Sequence, residues 1–207
     1  MAILPIDSGR YGTKEMLEIF GEQKKVDYQL QIEAAAALSQ SEINLIPKSI
    51  AKDIAKAARS GKITAKRIKQ LEAKSDHDTA ALVESLAERC RKESRPWIHY
   101  GLTSNDLVDT SNSMQMRDAI KIILPKVGKL ALLLSKNAVK YKMLPAVGRT
   151  HGQHASIISF GLKFANWASE MATHLERLDE IKKRILICKT LGVVGTGSLM
   201  GKDAVRV

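Results

Sequence analysis

From Phe160 to Ile185 apolar side chains recur at steps of three or four residues: Phe160, Phe164, Trp167, Met171, Leu175, Leu178, Ile181 and Ile185. That spacing is the seam of a helix in a bundle or coiled coil. Between Ile157 and Ser169 the only charged residue is Lys163. A helix so apolar on most sides has to be buried by more than one neighbour. The pattern predicts a long helix over about 155–188. Another long helix is expected from Thr103 or Ser104 to about Lys142, with Pro125 inside it as a kink. At about 1.5 Å per residue each would extend roughly 45–55 Å, more than one small domain covers. Helices of this length pack against other subunits, so a homo-oligomeric bundle is expected.

The rest of the chain reads the same way. Residues 1–12 form an extended lead-in. Thr13 can cap a short helix stopping at Gly21, and a longer helix follows to about Leu45 with Val26, Leu30, Ala34, Ala37 and Leu38 on one face. Pro47 opens a helix ending near Gly61. Thr64 caps the next, with Ile63 and Ile68 at the spacing of a hydrophobic staple. After Ser75-Asp76-His77-Asp78-Thr79, a helix over about 79–92 turns Ala80, Val83, Ala87 and Cys90 inward. Aromatic residues are only 4% of the chain, so the apolar content is mostly Ala, Leu, Ile and Val, which suits helices packing on helices. The expected fold is all-α.

The 33 Lys and Arg against 22 Asp and Glu give a formal net charge of +11. The basic residues are scattered and no aromatic residues interleave with them, so they read as solvated helix faces rather than a nucleic-acid surface. Cys90 and Cys188 lie far apart, outside any CxxC, which fits a reducing compartment. The N-terminus lacks the pattern of a signal peptide, and no apolar run approaches a membrane span. A soluble cytoplasmic protein is expected, with neither nucleic acid nor membrane as partner.

Four polar clusters punctuate the helices. Arg10-Tyr11 offers a planar fork of donors suited to phosphate or carboxylate, or a plain surface arginine. In Asp76-His77-Asp78 the carboxylates could orient the histidine; alternatively Ser75 and Asp78 cap helices and His77 is exposed. In His99-Tyr100-Gly101-Leu102-Thr103-Ser104-Asn105-Asp106 hydroxyls fall at the start of the long helix, where the helix dipole favours an anion, though Thr103 or Ser104 could simply cap it. Gly148-Arg149-Thr150-His151-Gly152-Gln153-His154, after Pro145, crowds a cation, a hydroxyl, an amide and two imidazoles between glycines. Such a loop suits proton transfer near neutral pH. His151 and His154 alone do not complete a metal site. The glycine-rich stretch 195–203 lacks the spacing of a phosphate loop, and Asp203 stands where Ser or Thr is needed.

These clusters, in order and approximate spacing, resemble the adenylosuccinate lyase family of the fumarase/aspartase superfamily. The matching segments are Arg10-Tyr11, His77-Asp78-Thr79-Ala80-Ala81-Leu82, the stretch 99–106 and Gly148–Gln153, and the likeness extends from Arg10 to Gly197. The resemblance implies a long-helix bundle of the fumarase/aspartase type. Residues 1–102 would be an N-terminal helical domain, and 103–207 the first part of the central bundle domain. It implies a homotetramer with shared active sites, a nucleotide substrate, and no metal or organic cofactor. The implied reaction releases fumarate from adenylosuccinate to give AMP, and from the succinylated aminoimidazole carboxamide ribotide of purine biosynthesis. In it His151 resembles the general acid and His77 a catalytic partner that orients substrate. Thr103 and Ser104 would hold a succinyl carboxylate, Arg10 and Tyr11 the nucleotide phosphate, and Asp76 and Asp78 would line the substrate.

There are departures. The position before His77 is often basic in the family and is Asp76 here. The family's catalytic serine lies on a later loop with a Ser-Ser-x-Met-Pro-x-Lys-x-Asn-Pro signature, which Ser198-Leu199-Met200-Gly201-Lys202 does not reproduce. The chain is therefore expected to end about midway through such an enzyme and to be inactive alone. The alternatives are a sister lyase acting on argininosuccinate or aspartate, and a non-catalytic helical oligomerisation module.

Overall fold

The computed structural model describes residues 9–206. The lead-in expected over residues 1–12 therefore lies, for residues 1–8, outside the described residues. Seven α-helices and one hairpin follow in the order α1 (Lys14–Ile19), α2 (Glu22–Glu42), α3 (Lys48–Ala58), α4 (Ala65–Ser75), α5 (Asp78–Ala87), a 3-10 turn (Lys92–Trp97), α6 (Ser104–Lys140), β1 (Pro145–Thr150), β2 (Gln153–Ser159), α7 (Phe160–Ile185) and a final 3-10 segment (Ser198–Arg206). The architecture is all-α apart from that two-stranded sheet. Among the described residues no helix is long and apolar enough to cross a membrane.

The described residues fall into two compact units. One comprises those up to Met116 together with those from Ile187 onward; the other is Arg117–Leu186. In the first, α2 and α3 pack through small side chains. Ala34, Ala37, Ala51 and Ala55 are all buried, and with no bulk between them the helix backbones approach closely. Ile54, Leu82, Leu86 and Leu107 are almost wholly buried and tie α3, α5 and the start of α6 to one core. Burying each of these side chains is worth about 1.5–3 kcal/mol. Met200 and Ala204 of the last segment join the same core.

Local signals set the helix ends. Thr13 accepts from the Met16 N–H and Thr64 from the Arg67 N–H, both as N-caps. Ile63 and Ile68 are both buried, consistent with the expected staple. Asn44 adopts a left-handed conformation (φ 59°), so α2 stops at Glu42 rather than Leu45. Asp76 (φ 50°) likewise ends α4.

The second unit holds the rest of α6, the hairpin and α7. Ser159 caps α7 by accepting from the Gly161 N–H, and its hydroxyl donates to the Lys142 carbonyl at 2.6 Å. A side chain at Gly161 would put its Cβ 2.4 Å from the Ala138 carbonyl oxygen, so glycine is what lets α7 start against the end of α6. Tyr141 packs on Phe160 and Phe164 with ring centroids 5.6 and 5.9 Å apart.

Three further expectations need correction here. α5 ends at Ala87 instead of about 92, and it buries Ala81, Leu82 and Leu86 while Ala80 is exposed. The histidine loop is a β-hairpin rather than an open connection, and α7 begins at Phe160, not near 155. His151 (φ 50°) and Gly152 (φ 73°) are the two central residues of a two-residue turn, with Thr150 paired to Gln153. Positive φ at both positions matches the twist of the flanking strands. The β-branched residues Val147, Thr150, Ile157 and Ile158 then favour extended backbone on either side.

Candidate active site

The end of the turn after the 3-10 segment and the starts of α5 and α6 border an open cavity of about 310 Å³ in the first unit. It is lined by His77, Thr79, Ala80, Val83, His99, Leu102, Thr103 and Ser104. Two of the clusters read from sequence are thus brought together. Arg10, Tyr11, Asp76 and Asp78 lie outside that lining. Tyr11 is 68% exposed, and the Arg10 guanidinium stacks 5.4 Å from its ring centroid.

His77 is itself the N-cap of α5. Its Nδ1 accepts from the Ala80 N–H at 3.3 Å, so a neutral ring carries its proton on Nε2. Ser75 braces the same turn, its hydroxyl within 3.3 Å of the His77 carbonyl and 3.4 Å of the His77 N–H. Asp78 does not cap α5 as an N-cap residue. It stands in the first turn, accepting from the Thr79 N–H at 2.6 Å, with Oδ1 3.6 Å from His77 Nδ1. The imidazole is thus held by one hydrogen bond, from the Ala80 N–H, and its side chain stays 55% exposed.

At the start of α6 the capping is done by Asp106. Its Oδ2 accepts from the Thr103 N–H at 3.0 Å and from the Gly192 N–H at 2.9 Å. Asp106 is fully buried. Thr103 Oγ1 and Ser104 Oγ have no hydrogen-bond partner among the described residues, since Asp106 meets the Thr103 backbone N–H and not its hydroxyl. Both hydroxyls stand at the N-terminus of a 37-residue helix, whose dipole favours an anion there. Gly192 has to be glycine in this arrangement: φ is 78°, and a Cβ would lie 2.9 Å from the Gly101 carbonyl oxygen. The stretch 191–197 is in this way hooked onto the cavity's rim.

His99 also faces the cavity. It adopts a left-handed backbone (φ 60°), a conformation costing a non-glycine residue roughly 1–3 kcal/mol. Glu33 of α2 supports it from below, accepting from its backbone N–H and lying 2.6 Å from Nδ1. In the sequence His99 stands inside a motif with no role of its own, and Glu33 is not marked as its partner. The available signal was a lone carboxylate in the otherwise apolar run Ile32–Ala37, on the face that α2 buries.

His151 belongs to the second unit and is exposed at the hairpin tip. Arg149 and His154 pair across the hairpin at 3.2 Å, next to a register shift between Gly148 and Arg149. Gly148 packs where a Cβ would sit 3.1 Å from the Ser156 carbonyl oxygen. The hairpin therefore presents His151 on a short, twisted, well-paired support.

A family model described as lyase matches residues 9–205. The adenylosuccinate lyase of Methanocaldococcus jannaschii is 44% identical over 207 residues, all of this chain and 45% of that protein. An N-acetyl-S-(2-succino)cysteine lyase of Enterococcus italicus is 37% identical over 95% of this chain and 43% of that one. Among solved structures, a fumarate lyase from Mesorhizobium sp. BNC1 superposes with a TM-score of 0.87 at 30% identity, over 95% of this chain and 47% of that one. The chain spans about half the length of the curated relatives it matches.

Proposed function

Because the chain belongs to the lyase family, we propose that it carries part of the active site of a cytoplasmic adenylosuccinate lyase. The reaction is elimination of fumarate from adenylosuccinate, giving AMP, and from the succinylated aminoimidazole carboxamide ribotide. A base removes a proton from the carbon beside a succinyl carboxylate, the C–N bond breaks, and an acid protonates the departing nitrogen. Charge builds on the carboxylate side, so fixed donors and a helix dipole aimed there are the chief source of acceleration.

The observation that carries this reading is the cavity at the start of α6. It joins two unengaged hydroxyls, Thr103 and Ser104, at a helix N-terminus to His77, an exposed histidine whose Nδ1 accepts from the Ala80 N–H. That set suits a succinyl carboxylate. His77 orients the substrate, His151 is the acid, and Arg10 and Tyr11 hold the nucleotide phosphate, with Asp76 and Asp78 near the substrate. The serine base comes from the part of the relatives' length that this chain does not span. Leu130, Leu132, Leu133 and Val139 of α6 and Leu162, Trp167 and Ile181 of α7 are exposed, which supports a homotetramer whose subunits cover these long helices and share active sites.

A sister reaction has one specific observation in its favour, the similarity to the succinocysteine lyase. There too a succinyl group would leave as fumarate, from sulfur instead of nitrogen. The test joins these 207 residues to the remaining length of the Methanocaldococcus jannaschii relative. Fumarate release is then followed from adenylosuccinate, argininosuccinate, aspartate and N-acetyl-S-(2-succino)cysteine. The proposal requires adenylosuccinate to have the highest kcat/KM; a higher value for another substrate would replace it.

A further inference from the structure

Helix α2 buries polar side chains among its alanines, and two of them reach one turn. Glu33 is 2% exposed, and both its oxygens go to His99: Oε2 accepts from the backbone N–H at 3.0 Å and Oε1 lies 2.6 Å from Nδ1. Seven residues further along, buried Gln40 donates to the Tyr100 carbonyl at 2.7 Å. The turn is thus clamped to α2 at two successive residues. A buried carboxylate persists only where its oxygens are hydrogen-bonded, and here a single residue satisfies both. A carboxylate against one imidazole nitrogen fixes the ring's tautomer and orientation, leaving the other nitrogen for chemistry. The ring so fixed lines the cavity with His77, Thr103 and Ser104.

We propose that Glu33 is a positioning residue: it takes the His99 Nδ1–H and so makes Nε2 the nitrogen offered to a ligand in the cavity. This deepens, and rests on, the reading of that cavity as the substrate site. Two donors of one residue meet two acceptors of another, and an amide cannot repeat the match. In Glu33→Gln the amide oxygen takes the backbone N–H and the NH₂ faces Nδ1. Nδ1 must then accept, and the proton of the neutral ring moves to Nε2. The opposite placement of the amide sets its NH₂ against the backbone N–H.

Long-range ¹H–¹⁵N correlation of the histidine rings in the 207-residue chain reads this directly. The spectra are taken at alkaline pH, with His99 assigned by its loss in His99→Gln. The expected result is an Nδ1–H tautomer in the unmodified protein and Nε2–H in Glu33→Gln. An Nε2–H tautomer in the unmodified protein, or an unchanged pattern in the variant, overturns the proposal. The measurement needs no turnover, so it judges Glu33 separately from the substrate reading. In the chain completed by its relative, Glu33→Gln should lower kcat/KM by about tenfold or more, with no further loss in a His99→Gln background. A full additional loss there would show that Glu33 acts other than through His99.

Discussion

Asp106 is the residue whose replacement most sharply separates the forces at the cavity's rim. Its Oδ2 accepts two backbone N–H groups, from Thr103 at 3.0 Å and Gly192 at 2.9 Å, while Oδ1 is buried with no partner among the described residues. Asp106→Ala leaves both donors unsatisfied. Hydrogen bonds to a charged acceptor are worth roughly 1.5–3 kcal/mol each. Relief from burying a carboxylate offsets part of that, although the helix N-terminus stabilises the charge. The net loss should be about 2–4 kcal/mol. Asp106→Asn is the informative contrast. With its oxygen at the Oδ2 position it keeps both bonds at neutral strength, and its NH₂ takes the place of the atom that had no partner. Its cost should be about 1 kcal/mol. Trp97 lies in the same unit and Trp167 in the other, so in a Trp167→Phe background urea unfolding followed by Trp97 fluorescence reports the relevant unit. With an m-value of about 2 kcal/mol per molar, the midpoint should fall by about 1–2 M for Asp106→Ala and about 0.5 M for Asp106→Asn. Equal shifts for the two variants, or a negligible shift for Asp106→Ala, would refute the argument that the two hydrogen bonds to Oδ2 stabilise the α6 start.

Other outcomes follow from the same structure. Burial pushes the Cys90 thiol up to about 11, leaving about one thiolate in a thousand at pH 8 against roughly a quarter for an ordinary thiol near 8.5. Cys188 is exposed, so Ellman's reagent should titrate one thiol promptly in the native chain and two in denaturant; two prompt thiols would contradict the packing of Cys90. His151→Ala in the completed enzyme should lower turnover by about 10²–10⁴-fold, and near-normal turnover would remove it from the acid role. Sedimentation of the chain at micromolar concentration should show oligomers, since exposed leucines line its long helices; a lone monomer would count against the bundle reading.

How much of this was legible in the sequence depends on the range of the forces involved. Thr13 and Thr64 were readable as caps because capping is decided within three residues. The seam from Phe160 to Ile185 was readable because one face of one helix carries it. The hairpin was not. Its strands are short, and His151-Gly152 becomes a turn only when both residues take positive φ, which histidine seldom signals. Residues 155–159 therefore read as the start of a helix but belong to β2. The alternative of an exposed His77 holds, but its own imidazole, and not Asp78, caps α5, and sequence gives no sign of a capping histidine. Glu33 is 66 residues from His99, and nothing local marks which buried carboxylate will meet which turn. The same holds for Asp106 and Gly192, 86 residues apart. The roles of His151, Arg10 and Tyr11 come from resemblance and stand as proposals, since no local pattern decides them.

The central claim is that Thr103 and Ser104, free of capping duty at the start of α6, hold the carboxylate of a succinyl substrate. Its most direct test is kcat/KM for fumarate release from adenylosuccinate, measured on the 207 residues completed by the Methanocaldococcus jannaschii relative, with and without Thr103→Val and Ser104→Ala together. The expected result is measurable release that falls by about a hundredfold or more in the double variant, since the loss of even one donor at a developing charge costs about that much. Full activity in the double variant, or an assembled enzyme that releases no fumarate, would contradict it.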